Sequence, residues 1–334
     1  MDIEKAIGEN EKNDYILNIS KHAEKYAENL PELSKLLQGS DIEYLAKEYE
    51  FDDKRAIACQ KKYKQYSIGT RWTAFFATLF TVCITVSGAL NGLKVFSFGT
   101  IDGETMAHTA SILAIISSAV ASVFIMLLKN KKLLSKWMES RSEAEEGRIG
   151  YFEKLVKKVQ GKSVEAHLQL LEYFRRYQID VQLNFYENKS KELEKKSNQS
   201  LTILAILAGT ALIINGITGL GFDSKYSYLA SLAIIVQALS FMMNNKELDE
   251  QNERNSERYG RTREILAQLK SKFDLVKNVV KNNDTKALSV YVKAVHEHLS
   301  IENKQWLKSM ESSTMAIAEL EKHINNDTNE TNIL

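Results

Sequence analysis

Six histidines are the obvious candidates for chemistry in this chain, and their spacing gives them little to do. His22, His108, His167, His296, His298 and His323 are scattered over 334 residues. His296 and His298 are two apart, so on a helix they point to different faces, and no HExxH zinc pattern occurs. His298 and Glu302 share a face at i, i+4, which reads as a salt-bridged helix surface. Gly219-Leu-Gly221 ends an apolar run without a following lysine and makes no phosphate loop. There is no nucleophile elbow and no zinc spacing. The basic pair Arg175 and Arg176 reads as a headgroup contact or a solvated face ahead of a phosphate site. These patterns predict no enzyme, no metal and no cofactor.

The remaining polar groups of interest lie inside apolar runs, where they could line a path or join helices. In one run Ala110, Ala114, Ser118 and Ser122 recur every four residues. Gly88 and Gly92 form a GxxxG pair in another, and Ala205 and Gly209 sit four apart in a third. Small residues on one face let helices approach closely in lipid. Asn215 and Gln237 are the strongest polar groups of the later runs. Plain packing between helices accounts for all of these. The sharper reading is an oligomeric pore with a wall of Ser and Thr. No Asp, Glu, Lys or Arg lies inside the runs, which argues against a proton relay, a voltage sensor or a charged selectivity site.

The elements that must hold these groups are four uncharged runs arranged as two hairpins. Trp72 to Leu93 pairs with Met106 to Leu128, and Leu201 to Phe222 with Tyr226 to Met243. About 18 apolar residues or more suffice to cross a bilayer as a helix, and a helix satisfies its own backbone there. The fourth run is the shortest and contains Gln237. The expected fold class is all-α: a polytopic membrane protein, two transmembrane hairpins, and long cytoplasmic helices forming a bundle. Basic residues flank the first hairpin on both sides (Lys61, Lys62, Lys64 and Arg71 before it, Lys129, Lys131 and Lys132 after it), while its turn has only Lys94 among acids. The positive-inside rule therefore places both termini in the cytoplasm. Trp72, Tyr226 and Tyr228 fit interfacial anchors. No secretory signal is expected in the polar first 50 residues. Cys59 and Cys83 are unlikely partners, which fits a reducing compartment. A net charge of +1 gives no general case for nucleic acid as a partner.

Outside the runs, apolar residues keep a helical 3-4 spacing in three stripes. They are Leu170, Phe174, Tyr177, Val181; then Leu266, Leu269, Phe273, Val276, Val280; then Leu288, Val292, Val295, Leu299, with Glu302 where an apolar residue is due, and Trp306. Such stripes mark bundle packing. Leu266, Leu269, Phe273, Val276 and Trp306 are the candidate cytoplasmic bundle or gate. Asn245 to Arg258 is polar on every side, as in a helix that is solvated or lines a wet cavity. The chain reads as duplicated, with an offset near 130 residues. The segments are 1–40, one or two short helices broken at Pro31; 41–160 and 161–283, two units of helix, membrane hairpin and helix; 284–324, a further helix; and 325–334, a polar tail.

The pattern of basic, aromatic and acidic residues around the hairpins resembles the SLATT family, bacterial two-transmembrane effectors found beside nucleotide-signalling systems. In the first half the resemblance is carried by Arg55, Tyr63 and Arg71, then Trp137, Arg141, Glu145 and Arg148. In the second half it is carried by Tyr173, Arg176, Tyr177 and Tyr186, then Arg254, Arg258, Tyr259, Arg263 and Leu266, with Glu297, Glu302 and Trp306 closing the unit. It covers about residues 41–310 as two tandem units, so no subunit count carries over from the minimal two-span form. The resemblance implies a homo-oligomeric effector of the bacterial inner membrane. It would permeabilise that membrane in antiviral or conflict defence when a nucleotide signal or a ligand-sensing partner triggers it. The alternative is a non-conducting scaffold that recruits a cytoplasmic partner through its bundle. Gene neighbours would discriminate the two.

Overall fold

The computed structural model describes residues 3–8, 19–93, 103–219 and 227–305, and every regular element among them is helical. Three short helices come first: α1 (Ile3–Ile7), α2 (Ile19–Lys25) and α3 (Pro31–Leu37). Pro31 sits at the start of α3, where its fixed φ suits the first turn and its missing N–H costs nothing. Helix α4 (Ser40–Leu93) is a single helix of 54 residues that contains the first apolar run. It is followed by α5 (Gly103–Asn130) and α6 (Leu133–Val159). The second half has α7 (Val164–Phe174), a π-helical segment (Arg175–Asp180), α8 (Val181–Gly219), α9 (Ser227–Glu250), α10 (Asn252–Ser271) and α11 (Phe273–Lys281). A last helix, α12, covers residues 286–305.

The two halves of the chain break at corresponding places. Lys132 separates α5 from α6 and Gln251 separates α9 from α10, and both hold φ at +47°. A left-handed residue at that point ends one helix and redirects the next. From 132 to 251 is a step of 119, and from the end of α4 at 93 to the end of α8 at 219 is a step of 126. The repeat is thus slightly shorter than the apolar pattern alone suggests.

The chain divides into two compact units that run across the duplication. One holds residues 1–57, 136–191 and 255–334, and the other 58–135 and 192–254. Helix α4 contributes its first part to one and its second part to the other. We call them the bundle unit and the hairpin unit.

The bundle unit has a continuous apolar core. Two of the three expected stripes are buried throughout: Leu170, Phe174 and Tyr177 line this core and Val181 is buried beyond it, while Leu288, Val292, Val295 and Leu299 all line it. In the third, Leu266, Phe273 and Val280 are buried while Leu269 and Val276 pack partly buried against them. That stripe is carried by α10 and α11, which meet in a turn at Lys272. Trp306, expected to close the series, lies outside the described residues. Residues 1–40, for which the pattern gave no role, supply Ile7, Tyr26, Leu30, Leu33 and Leu37 to the same core.

The hairpin unit is the reverse. Three helical stretches, within Ser40–Ser87, Glu104–Val159 and Val164–Thr218, are long and apolar enough to cross a membrane. Their apolar windows are only 6%, 6% and 0% buried within the chain. Helix α9, over the fourth run, is not among the three. Large apolar side chains such as Ile115, Ile206, Leu212 and Phe241 are exposed, and among the described residues the buried positions of the runs are Val82, Ser87, Ala110, Ala121, Ala211, Ser231 and Ala233. Small residues inside and large ones outside is the packing order of helices in lipid. Hydroxyls follow the same logic. Those of Thr81, Thr85, Ser87, Thr109, Ser111, Ser122, Thr202, Thr210 and Ser240 each donate to the carbonyl four residues back in their own helix. A hydroxyl bonded in this way needs no water.

Candidate functional site

The bundle unit holds a buried ionic network built from the residues that carry the sequence pattern. Arg141, Glu145 and Arg148 come from one face of α6, at spacings of four and three. Glu145 pairs with both arginines, and its side chain is 13% exposed against 6% for Arg148. Arg141 also approaches Asp53 of α4 at 3.6 Å. From the second half, Arg258 Nε lies 3.2 Å from Glu302 Oε1, and Tyr186 donates its hydroxyl to Glu302 Oε2 at 3.1 Å. Arg258 lies over the Tyr259 ring at 5.1 Å, and the Tyr186 and Tyr259 rings meet at 5.4 Å. The position where an apolar residue was due in the last stripe is therefore a buried carboxylate with two partners. The expected surface salt bridge between His298 and Glu302 is corrected: Glu302 turns into the core toward Arg258 and Tyr186, because a buried guanidinium needs a counter-charge, whereas the half-buried His298 imidazole has its pKa lowered by burial and is held neutral.

The two sets act on one another electrostatically. Burial works most strongly against the charge of Arg141, but Glu145, Tyr49, Tyr259 and Tyr186 together outweigh it and raise the pKa. Burial would push the Glu145 carboxyl up, and Arg141 and Arg148 reverse this to hold it below its ordinary value. Glu302 is raised by burial, against Arg258 and with help from Glu145. Asp53 is raised by burial in spite of Arg141. Burial also lifts Tyr49 to about 12. Three guanidinium groups thus face three carboxylates drawn from α4, α6 and α12, with Arg258 supplied by α10. Removing one member leaves an uncompensated charge in a poorly solvated place, which is costly.

A second polar centre lies at the π-helical segment. Winding of this kind, rare outside functional or strained places, puts Arg175 and Asp180 five residues apart on nearly the same face. Arg175 Nη1 lies 2.7 Å from Asp180 and its Nε 2.8 Å from Glu172, which also pairs with Lys277. Lys270 reaches Asp180 at 2.8 Å. Arg176 is 1% exposed and donates to the Ile7 carbonyl. Gly8 has φ of +75°, which favours glycine, and a Cβ there would stand a tight 3.1 Å from the Arg176 guanidinium. Of the two surroundings expected for this basic pair, a solvated face and a headgroup, Arg176 has neither. Around it the hydroxyls of Tyr26 and Tyr177 meet at 2.7 Å, those of Tyr151 and Tyr173 at 3.1 Å, and His22 Nδ1 meets Tyr173 at 2.9 Å. A polar cleft of about 740 Å³ beside this segment is lined by Glu4, Arg175, Asp180, Arg263 and Lys270 among others.

The candidate lining residues of the runs separate. Ala110 is buried, Ala114 half-buried, and Ser118 and Ser122 are exposed on α5. A spacing of four advances 40° per step against a helix of about 3.6 residues per turn, so this stripe drifts off the packed face. That face instead follows Ala107, Ala110, Ala114, Ser117, Ala121 and Phe124. Asn215 and Gln237 are both exposed. Gly88 and Gly92 lie within α4, and their surroundings are outside the described residues. Ala205 is exposed and Gly209 half-buried. Among the described residues no group of three His, Cys, Asp or Glu is placed to hold a metal ion. Sequence reasoning missed Tyr49 and Asp53 of α4, which look like ordinary members of a charged helix, and missed Tyr26; it named His22 only as one of six scattered histidines. Compared with protein-family models, with curated proteins and with solved structures, the chain finds no match.

Proposed function

We propose that this chain is an effector of the bacterial inner membrane that spans the bilayer as two hairpins, assembles with further copies of itself, and permeabilises the membrane. The observation that carries the reading is the near-total lack of burial along three apolar helical windows. Each residue of such a window left in water forfeits about 25 cal/mol per Å² of apolar surface, so these helices belong in lipid. Assembly is supported by Asn215 and Gln237, exposed amides within apolar runs. An exposed amide in hydrocarbon is costly, and a neighbouring copy is where it finds a partner. Ser118 and Ser122, also exposed, then line the contact or the path between copies. The resemblance to SLATT proteins supports the same reading, with antiviral or conflict defence as the setting and a nucleotide signal or ligand-sensing protein as the trigger. No catalytic role is proposed.

The ionic network supplies the means of control. Helix α6 follows α5 at the Lys132 break, and α10 follows α9 at the Gln251 break. A network that ties α6 and α10 to α4 and α12 therefore ties together the helices that leave the two hairpins. Buried ionic clusters have discrete arrangements and suit a two-state element.

The test is membrane potential in cells after induced expression, read with a potential-sensitive dye, for the native chain and for Ser118→Leu with Ser122→Leu. Rapid depolarisation that the double variant abolishes supports a path along α5. Intact potential with the protein confirmed in the inner membrane, and with candidate partner genes co-expressed, refutes permeabilisation. That outcome leaves the scaffold reading, which draws on exposed apolar side chains of the bundle unit such as Tyr44, Phe51 and Val290.

A further inference from the structure

Helix α1 has five residues, too few for a helix to be stable by itself, so its position depends on what it touches. Ile7 is fully buried in the bundle core. Its carbonyl accepts from the buried Arg176 guanidinium and, at 3.4 Å, from the Tyr26 hydroxyl. Glu4 lies 3.6 Å from Lys277 of α11. The outer side of α1, at Glu4 and Lys5, is exposed and borders the polar cleft. Helix α1 is therefore a small plug with water on one side and the π-helical segment on the other.

That segment bears a cost of its own. Gln178, near its centre, is 0% exposed, and among the described residues neither its amide nitrogen nor its amide oxygen has a hydrogen-bond partner. A buried amide without partners is unfavourable. Offsetting it is a contact that only this winding allows: Arg175 meets Asp180 at 2.7 Å, whereas residues five apart in an α-helix stand about 140° apart. A π turn takes up one residue more than an α turn. Rewinding to α gives that residue back, and every later residue advances to the place of the one after it, about 100° round and about 1.5 Å along. Helix α8 follows directly and is unbroken from Val181 to Gly219, so the turn is passed along it to the third apolar run. Within the bundle unit the same turn takes Tyr186 away from Glu302 and puts Phe185 in its place.

We infer that α1 is a latch on this segment: docked, it holds the π winding through Arg176, and released, it lets the segment rewind to α and turn α8. Arg176 stands within the segment, beside Arg175. Loss of the Ile7 carbonyl deprives a buried guanidinium of that acceptor, and the room vacated by α1 lets it turn toward water. That turn carries the backbone with it, parting Arg175 from Asp180 and taking Gln178 out of its unpaired place. The docked state is thus the sum of an apolar plug, a buried cation and an ion pair set against one orphaned amide. Two discrete windings of one segment, with the balance between them set from outside, make a two-state element.

The experiment reads the register of α8 against α10 by disulfide cross-linking, in the full chain in nonionic detergent with Cys59→Ser and Cys83→Ser. The Ser256 hydroxyl donates to the Ser190 carbonyl at 2.9 Å, so Ser190→Cys with Ser256→Cys reports the docked register. After rewinding, residue 189 takes the place of residue 190, so Lys189→Cys with Ser256→Cys reports the released one. The otherwise native chain favours the first pair. Ile7→Asp, which drives α1 out of the core, inverts the ratio of the two cross-links. Should that variant fail to fold, Ile7→Ala moves the ratio the same way by a smaller step. Deleting Gln178 supplies the converse: the shortened segment winds as α with every later residue in its native place, so the first pair is favoured with or without the Ile7 substitution. A ratio unmoved by either Ile7 variant, both cross-links lost alike in Ile7→Ala, or loss of the first cross-link in the chain without Gln178 overturns the latch.

Discussion

Glu145 sits between two guanidinium groups, and Glu145→Gln removes one charge while keeping shape. The side chains of Glu145 and Arg148 are 13% and 6% exposed, so Arg148 loses its counter-ion in a place water scarcely reaches. Arg141 is 33% exposed and keeps partial solvation together with Asp53 at 3.6 Å. Breaking a fully buried pair by removing one partner costs about 3–5 kcal/mol. With Arg141 discounted for its exposure, the expected loss is about 2–4 kcal/mol. At roughly 2–4 °C per kcal/mol for a unit of this size, the melting temperature falls by about 4–16 °C. The assay is thermal unfolding of the full chain in detergent at neutral pH, followed by circular dichroism. Glu143→Gln is the matched control: its partner Arg55 is 41% exposed and Glu143 itself 44%, so its loss is under about 1 kcal/mol. The double variant Glu145→Gln with Arg148→Met removes both charges and recovers most of the stability, since apolar replacement of a buried pair is often neutral. A Glu145→Gln shift no larger than that of Glu143→Gln, or a double variant worse than the single one, refutes the claim that the network is an electrostatic element of the bundle.

Three further substitutions have expected outcomes. The His296 ring packs against Phe174 at 5.6 Å, facing Arg148 and with Glu153 at 3.8 Å; burial, with Arg148 adding, holds its pKa down to about 3 from 6.5. A base kept neutral in the fold contributes stability above pH 6.5 that is lost as pH falls from there toward 3, so His296→Phe flattens the acid limb of melting temperature against pH in that window. Leu266 is fully buried and Leu275 is 64% exposed, so Leu266→Ala costs about 2–5 kcal/mol and Leu275→Ala under about 0.5 kcal/mol, read from the same melting curves. Gly69→Ile places carbon into the Phe124 ring, parting α4 from α5 at a cost of about 1–3 kcal/mol; Phe124→Ala restores the spacing, checked by the efficiency of a cysteine cross-link between the two helices.

The helical class, the bundle stripes and the apolar runs were legible because each is a local period. Burial repeats every 3.6 residues whatever lies opposite, so Leu170 to Val181 or Leu288 to Leu299 announce their inner face without a partner. The four-residue stripe from Ala110 to Ser122 leaves the face of α5 that packs within the chain, because a spacing of four looks helical over one step and has turned through 120° after three. The residues 1–40 were opaque because their elements are too short for a period to show. Their place is fixed by single distant contacts, such as the backbone of Leu33 donating to Gln169 at 2.9 Å.

The network was half legible, and the missing half is instructive. Arg141, Glu145 and Arg148 stand at helical spacing, and any such triplet reads equally as a solvated face of i, i+4 pairs, each worth a few tenths of a kcal/mol. What distinguishes this one lies elsewhere in the chain. Glu302 interrupts an otherwise apolar stripe, and a carboxylate at a core position is tolerable only with a cation in reach. Arg258 and Tyr186 answer that requirement from two other helices, at separations in sequence of 44 and 116. An interruption in a stripe therefore carries more information than the charged triplet itself. The stripe says where the core is, and the exception says that the core contains charge.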